Sequence, residues 1–345
     1  MTTISVCMIV KNEEKVLARC LDSLAGLWEE LIIVDTGSTD KTKEIASKYT
    51  DKIYDFSWTG NFSDARNYSF SKAGCDYVYA ADADEVLDEE NREKFLILKN
   101  ALDAESEIEI VQMYYGNQLS QNSIYNFDKE YRPKLYKRQR SFHWQEPIHE
   151  AVRLEPVVFD SDIVICHKPQ GEHGGRDLTY FEKMLEEGHK LSKRMQDIYL
   201  RELYFVGDKH NLERGHEYLL QLTMSESTDS DLFQKAIAIL CKEARILNSD
   251  GAVLKYSLKG VASQGSSELC MELGHYFYEK KDWEEAAIWY YNAAYETPCQ
   301  MSFKSATSEP LEKLVSCYEN LGMSQVAKEY QDQLLAYEQS MRADY

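Results

Sequence analysis

Long apolar runs are missing from this chain of 345 residues. A helix needs about 20 consecutive apolar residues to cross a bilayer, and no segment approaches that length. Residues 1–10 are largely apolar, but they lack the basic start and the small-residue cleavage site of a secretion signal. We therefore predict that they contain the first core strand, and we expect a cytoplasmic protein without a membrane span.

Positive charge is also scarce. The chain has 39 Lys and Arg against 59 Asp and Glu, and its formal net charge is -20. Because nucleic-acid binding needs a positive face, we expect no nucleic-acid partner. A small anionic ligand remains compatible, since one metal ion and a few arginines can reverse the field locally.

Closely spaced cysteine pairs are absent as well. None of the eight cysteines belongs to a Cys-x-x-Cys motif, and several lie in apolar runs. This usage favours reduced core thiols in the cytosol and argues against a structural zinc site.

The first half of the chain alternates between strand and helix patterns. Buried strands are predicted at Ile4–Val10 and at residues 31–34, each followed by a helix, and a short strand is predicted at 52–54. Such units require parallel pairing. Later predictions are a helix at 91–100, strands at 108–115 and 163–166, and a hairpin over 131–144. The pattern indicates an α/β fold.

A Gly-rich passage at residues 171–175 marks the predicted domain boundary, with an α/β domain at 1–175 and a helical domain at 176–345. The segments 180–224 and 232–247 are predicted to be helical. Residues 268–298 match the tetratricopeptide pattern of paired helices at Leu273, Gly274, Phe277, Ala286, Tyr290, Ala293 and Pro298. A weaker copy follows, so we predict an all-α, tetratricopeptide-like second domain.

The stretch from Asp76 to Glu85 organises the first domain. It begins as an apolar, aromatic strand and ends in acids that include Asp82 and Asp84. Open α/β sheets bind ligands at the carboxyl ends of their strands. Two carboxylates placed there favour a bound cation or a polyhydroxyl ligand.

Several short motifs occur in a specific order: VKNEE at 10–14, VDTGSTD at 34–40, DARN at 64–67, DADE at 82–85, RPKLYK at 132–137 and IHE at 148–150. Together they resemble the family 2 glycosyltransferases with the GT-A fold, over about the first half of the chain. The subgroups that they resemble are the lipopolysaccharide-core glucosyltransferases and the sublancin-type bacteriocin peptide glycosyltransferases. The latter also carry helical, repeat-like tails.

The resemblance implies a UDP-sugar donor, Mg²⁺ or Mn²⁺, and a single displacement that inverts the anomeric carbon. Carboxylate ligands suit these hard cations. Six residues are implied to bind the donor nucleotide: Asn12, Glu13, Asp35, Ser38, Asp64 and Arg66. Asp82 is implied to face the ribose or the surroundings of the metal, Asp84 to bind the metal, and His167 to complete its ligands.

Several of these residues also have a structural alternative. Ser38 and Asp64 are candidate helix caps. Asp82 and Asp84 fit a solvated turn followed by a cap at Asp88, and His167 fits a purely structural histidine.

His149 and Glu150 match the His-Glu pair of the family. The acceptor must lose a proton as it attacks, so we predict that one of them is the general base, with Glu146 as a further candidate. A histidine suffices for a cysteine acceptor, whose free pKa is about 8.5, whereas a serine hydroxyl needs stronger help. The alternative is that the pair orients the predicted hairpin.

A local basic cluster occupies the same hairpin: Arg132, Lys134, Lys137, Arg138 and Arg140. It either steers the nucleotide diphosphate or forms a solvated face.

Three functions follow as hypotheses. The first is a peptide glycosyltransferase acting on Cys or Ser, with the helical domain gripping the peptide on its concave surface. The second has a lipid-linked or cell-surface glycan as acceptor, and the third is a non-catalytic scaffold. The helical domain also offers a surface for a homodimer.

Overall fold

The computed structural model of the protein describes residues 1–105, 107–116, 130–168, 174–225 and 228–343. The chain divides into two compact units, Met1–Glu172 and His173–Tyr345. The predicted boundary passage at 171–175 lies partly outside the described residues.

The described part of the first unit contains eight strands in one sheet. They are β1 (Ile4–Val10), β2 (Glu30–Asp35), β3 (Ile53–Asp55), β4 (Tyr77–Ala81), β5 (Glu85–Val86), β6 (Ile110–Gly116), β7 (Glu130–Lys137) and β8 (Val158–His167). Their order is β3-β2-β1-β4-β7-β6-β8-β5, and the first four in that order are parallel. The predicted α/β class is therefore confirmed.

The register of the parallel strands positions the site. Met8 of β1 lies opposite both Ile33 of β2 and Ala81 of β4. These three strands therefore end at the same edge of the sheet, where the residues after Val10, Asp35 and Ala81 meet.

Four α-helices lie in the described part of this unit: α1 (Leu17–Leu24), α2 (Thr42–Ala46), α3 (Phe62–Phe70) and α4 (Glu89–Ala101). Met8 packs in one core with α1 and α4 residues, whereas its neighbour Cys7 packs with Tyr68 and Phe70 of α3. Since successive side chains of a strand alternate faces, helices cover the sheet on both sides.

The predicted hairpin over 131–144 is wrong. β7 inserts between β4 and β6 and is antiparallel to both. After Lys137 the chain leaves the sheet and is bound to α3: Asn67 Nδ2 donates to Trp144 O at 3.0 Å, and Asn67 Oδ1 accepts from Trp144 N at 2.8 Å. Trp144 then packs with Tyr136 and Phe70, so these aromatics are core residues.

The described part of the second unit is all helical. Its α-helices are α5 (Gly174–Glu186), α6 (Lys193–Phe205), α7 (Lys209–Met224), α8 (Ser230–Ile246), α9 (Asp250–Ala262), α10 (Ser267–Glu279), α11 (Trp283–Tyr295), α12 (Ser308–Asn320) and α13 (Ser324–Ala343). The helical class predicted for this half is confirmed, although the segment 180–224 contains three helices. One break is set by Asp208, which forms a capping box with Asn211 at the start of α7.

Small residues allow α10 and α11 to approach closely. A Cβ on Gly274 would lie 2.4 Å from the Tyr290 ring. Ala286 and Ala293 of α11 are fully buried in the same cluster. In the described part of the chain, no helix has the length and apolarity needed to cross a membrane.

Candidate active site

The turns after β1 and β2 are held together by Asn12 and Ser38. Asn12 N donates to Ser38 Oγ at 2.9 Å, and Asn12 Oδ1 accepts from Thr39 N at 2.8 Å. Asn12 has a φ of 58°, in the left-handed region that Asn tolerates better than most residues. Glu13 N donates to Thr42 Oγ1 at 2.7 Å. The structure thus brings Asn12, Glu13 and Ser38 to one sheet edge.

Ser38 does not cap a helix. The N-cap position of α2 is Lys41, which makes no side-chain cap bond. The capping alternative for Ser38 is therefore wrong, because its hydroxyl accepts from the β1 turn instead.

Asp35 ends β2 with a side chain that is almost fully buried. Its Oδ1 accepts from Gly37 N at 3.0 Å and from Ser38 N at 2.9 Å. Its Oδ2 is buried and has no hydrogen-bond partner within the described residues. A buried carboxylate oxygen without a partner is unfavourable. The hydrogen-bonding capacity of this atom is therefore unused within the described residues.

Asp64 lies in the first turn of α3, and Asn61 is the helix cap. Asn61 Oδ1 accepts from Asp64 N at 3.3 Å, so the alternative that made Asp64 the cap is wrong. The Asp64 carboxylate instead accepts from Thr59 Oγ1 at 2.9 Å.

Arg66 joins two acidic side chains on different segments. Its Nη2 donates to Asp82 Oδ1 at 2.7 Å and its Nε donates to Glu150 Oε1. The guanidinium carbon lies 4.8 Å from the centre of the Trp144 ring. The side chain is 12% exposed, so these contacts fix its fork in place.

Asp82 is held from a second side by Lys134 of β7. Lys134 is buried; its Nζ lies 3.5 Å from Asp82 Oδ2 and pairs at close range with the buried Glu85. Burial acts to raise the pKa of Asp82, but the charges of Arg66 and Lys134 outweigh it and hold that pKa well below its usual range. Asp82 is therefore ionised at neutral pH.

Asp84 and His167 meet on the far side of this network. β5 and β8 pair with Glu85 opposite His167, which places His167 Nε2 3.0 Å from Asp84 Oδ2. The side chains of His167 and Asp84 are 22% and 20% exposed respectively, so both reach solvent.

This pair fits a divalent cation. Two adjacent ligand atoms of an octahedral ion with bonds of about 2.1 Å lie about 3 Å apart. Asp84 Oδ2 and His167 Nε2 are hydrogen-bonded to each other at 3.0 Å, a separation that also agrees with that spacing. A carboxylate oxygen and an imidazole nitrogen also suit Mn²⁺, and the carboxylate suits Mg²⁺.

His149 and Glu150 lie within a strained turn. Glu146 and His149 have φ values of 72° and 50°, and an isolated bridge pairs Gln145 with Ala151. The turn is attached to the start of α3, since Phe62 N donates to Pro147 O at 2.9 Å. Residues in unusual backbone conformations persist only where the surroundings hold them, as they do at many active sites.

The predicted basic cluster at 132–140 is not one solvated face. Lys134 points into the site, Arg140 pairs with Glu109 and Arg138 donates to Cys75 O. Sequence reasoning named Lys134 only as a member of the basic cluster and did not select Glu85 as a site residue. Glu85 belongs to the DADE motif, and Lys134 directly precedes the apolar residues Leu135 and Tyr136, which was the available signal for its burial.

Comparison with protein families identifies the first unit. Residues 5–153 match the model of glycosyl transferase family 2. This segment is a family 2 glycosyltransferase domain. It contains every site residue described above except His167.

Two curated proteins illustrate the similarity. A TPR repeat-containing protein of Synechococcus elongatus is 32% identical over 152 residues, which are 44% of this chain and 36% of that protein. The glycosyltransferase SunS of Bacillus subtilis is 28% identical over 254 residues, which are 69% of this chain and 58% of SunS. The chain thus spans less than two thirds of either relative.

Among solved structures, glucosyl-3-phosphoglycerate synthase from Mycobacterium tuberculosis, with Mn²⁺ and UDP-glucose, is 15% identical with a TM-score of 0.39. The match covers 55% of this chain and 81% of that one. S. aureus TarS residues 1–349 are 13% identical with a TM-score of 0.36, over 83% of this chain and 90% of that one.

Proposed function

We propose that the protein is an inverting, metal-dependent glycosyltransferase that moves a hexose from a UDP-sugar to a peptide. The observation that carries this proposal is the convergence of Asp35, Asp82 and the Asp84–His167 pair at one edge of a family 2 domain. The retained acids count against a non-catalytic scaffold.

On the donor side, Asn12, Glu13, Ser38 and Asp64 line the nucleotide pocket in this proposal, and Asp35 Oδ2 accepts from the base. Asp84 and His167 would hold Mg²⁺ or Mn²⁺, and the cation would supply charge stabilisation to the leaving group. Asp82 accepts from the ribose, and Arg66 holds Asp82 in place.

On the acceptor side, the attacking Cys sulfur or Ser oxygen forms a bond to the anomeric carbon as the bond from that carbon to UDP breaks. The acceptor proton passes to His149 or Glu150, and UDP leaves with the bonding electrons. Glu150 and Asp82 both accept from Arg66, so this side chain links the proposed base to the donor site.

The similarity to SunS extends beyond the transferase domain. The 254 residues aligned with SunS exceed the 149 positions from 5 to 153 that match the family. The shared region therefore continues past the transferase domain, towards the helices proposed to hold the peptide.

UDP release tests the proposal directly. The full chain is incubated with UDP-glucose and other UDP-hexoses, with Mn²⁺ or EDTA, and with Cys- or Ser-containing peptides. We expect metal-dependent UDP release that a suitable peptide accelerates, with the sugar located on Cys or Ser by mass spectrometry. No hydrolysis and no transfer with any donor would overturn the proposal.

A further inference from the structure

The two oxygens of the Asp82 carboxylate are bound by different cations. Arg66 Nη2 donates to Oδ1 at 2.7 Å, and Lys134 Nζ lies 3.5 Å from Oδ2. The two cations come from separate elements, since Arg66 is on α3 and Lys134 is on β7. The orientation of the Asp82 carboxylate is therefore set from both sides.

Lys134 is itself fixed by buried partners. Its side chain is 6% exposed, and its Nζ pairs with Glu85 and donates to Ala80 O at 3.3 Å. Glu85 is 3% exposed, and its Oε2 accepts from Asp82 N at 3.2 Å. Glu85 therefore anchors both Lys134 and the backbone of Asp82.

Asp84 lies outside this arrangement and faces His167. The two aspartates of the DADE motif are consequently in different electrostatic environments. Two cations of the protein, Arg66 and Lys134, pair with Asp82, whereas the partly exposed Asp84 lies beside the imidazole of His167.

We propose that Lys134 is a positioning residue that keeps Asp82 from binding the metal, so that the cation is directed to Asp84 and His167 and Asp82 remains a fixed acceptor for the donor. This inference rests on the proposed function. Lys134 acts in two ways: its charge lowers the affinity of the Asp82 side for a free cation, and its ammonium group orients Asp82 Oδ2. These two effects can be separated by substitution.

The single variant Lys134→Met removes both effects. We expect it to bind Mn²⁺ more tightly than the wild type in the absence of nucleotide, on the order of tenfold, since a nearby positive charge is lost. We expect it to bind UDP more weakly at saturating Mn²⁺, also on the order of tenfold, because Asp82 is no longer aligned. Calorimetry and Mn²⁺ electron paramagnetic resonance measure both affinities without turnover.

The double variant Lys134→Met with Glu85→Gln restores the charge balance without restoring the ammonium group. Replacing both members of a buried ion pair is tolerated better than removing one, so this variant also covers a failure of the single variant to fold. We expect its Mn²⁺ affinity to return to within about threefold of the wild type, while UDP binding stays weak.

The Mn²⁺ and UDP affinities of the wild type and the variants distinguish the role of Lys134 from the proposed function. If the wild type binds Mn²⁺ and UDP and both folded variants bind them equally well, the role of Lys134 is overturned and the proposed function stands. If the wild type binds neither ligand, the proposed function fails and the role of Lys134 fails with it. A variant Lys94→Met, which removes a surface ion pair with Glu90, should match the wild type in both affinities.

Discussion

At the scale of single residues, the site contains side chains that the protein holds and side chains that it offers to ligands. Arg66 and Lys134 belong to the first kind, because each is fixed by acidic partners. The proposal assigns Asp35 Oδ2 to the second, since it is buried without a partner in the described residues. It also assigns Asp84 and His167 to the second, because they form a partly exposed pair at a spacing that a cation can bridge.

Replacing Asp84 by Asn should lower Mn²⁺-dependent UDP release by at least about 100-fold, because the cation loses its charged ligand. The fold should persist, since the Asp84 side chain is partly exposed. UDP release and the melting temperature are measured on the same preparation. Asp162→Asn is the control, because Asp162 is an exposed acid on β8 that pairs with Lys94 at 3.3 Å. Full turnover by the Asp84→Asn variant would exclude the metal role.

Replacing Arg66 by Met should destabilise the chain by about 3–5 kcal/mol, because two partly buried carboxylates lose their shared partner. Arg66→Lys keeps the charge but cannot donate in two directions through a planar fork, so we expect an intermediate loss. Denaturant unfolding measures both. Arg153→Met removes an exposed pair with Glu155 and should change stability by less than about 1 kcal/mol. Equal stability of the Arg66→Met and Arg153→Met variants would contradict the role of Arg66.

At the scale of elements, sequence patterns predicted the helices and strands that depend mainly on neighbouring residues. The apolar spacing of Leu17, Cys20 and Leu24 predicted α1, and all three are buried in the core. The strand-helix alternation predicted the parallel β1–β4 part of the sheet. Motif order predicted which residues meet at its edge, because parallel strands bring their carboxyl ends together.

The sequence could not show which strands would pair with β7. Its pairing with β4 and β6 joins residues far apart in the chain, and it turns Lys134 from a member of a basic run into a buried partner of Asp82. The N-cap of α3 could not be predicted for a related reason. Asn61 and Asp64 are both good cap residues, and the exact start of the helix decides between them.

The close contact between α10 and α11 yields a prediction about Gly274. Gly274→Ala should destabilise the chain by about 1–3 kcal/mol, since the new methyl group would meet the Tyr290 ring. Gly251→Ala is the matched control, because a Cβ there meets nothing within 4 Å and alanine favours the helix. Thermal unfolding compares the two variants. A stabilised Gly274→Ala chain would mean that the helices are further apart.

The same helix pair predicts a pH dependence. Burial lowers the pKa of His275 to about 4, and its Nδ1 lies 2.8 Å from Tyr290 Oη. The folded chain disfavours the charged imidazole. The contribution of neutral His275 to the free energy of unfolding is therefore fully present above about pH 6.5 and is lost as the pH falls towards 4. Between pH 7.5 and pH 5 the expected loss is about 2 kcal/mol.

The variant His275→Gln should remove that part of the pH dependence, so its melting temperature should fall less than that of the wild type between pH 7.5 and pH 5. His210 on α7 is exposed, and His210→Gln should keep the wild-type slope. Identical slopes for all three proteins would show that His275 is not buried as a neutral residue.

At the scale of the whole molecule, two units with separate cores share a net charge of -20. In the first unit, the buried cations Arg66 and Lys134 are each paired with acids of the site. A ligand that binds only the native state stabilises it by mass action, by about 2.7 kcal/mol at 100 times its Kd. The unit in which this stabilisation is observed is therefore the unit that binds the ligand.

Hydrogen exchange on the full chain makes this measurable. Saturating Mn²⁺ and UDP should slow exchange in the turn after β2 and in residues 82–86, whereas α10 and α11 should exchange at the same rate as without ligand. The reason is that every residue assigned to the donor lies in the first unit. Asp84→Asn in the same buffer is the control and should show little protection, since the metal bridge is lost. Protection that begins in α10 and α11, with none in residues 82–86, would move the donor site to the helical unit and refute its assignment to the sheet edge.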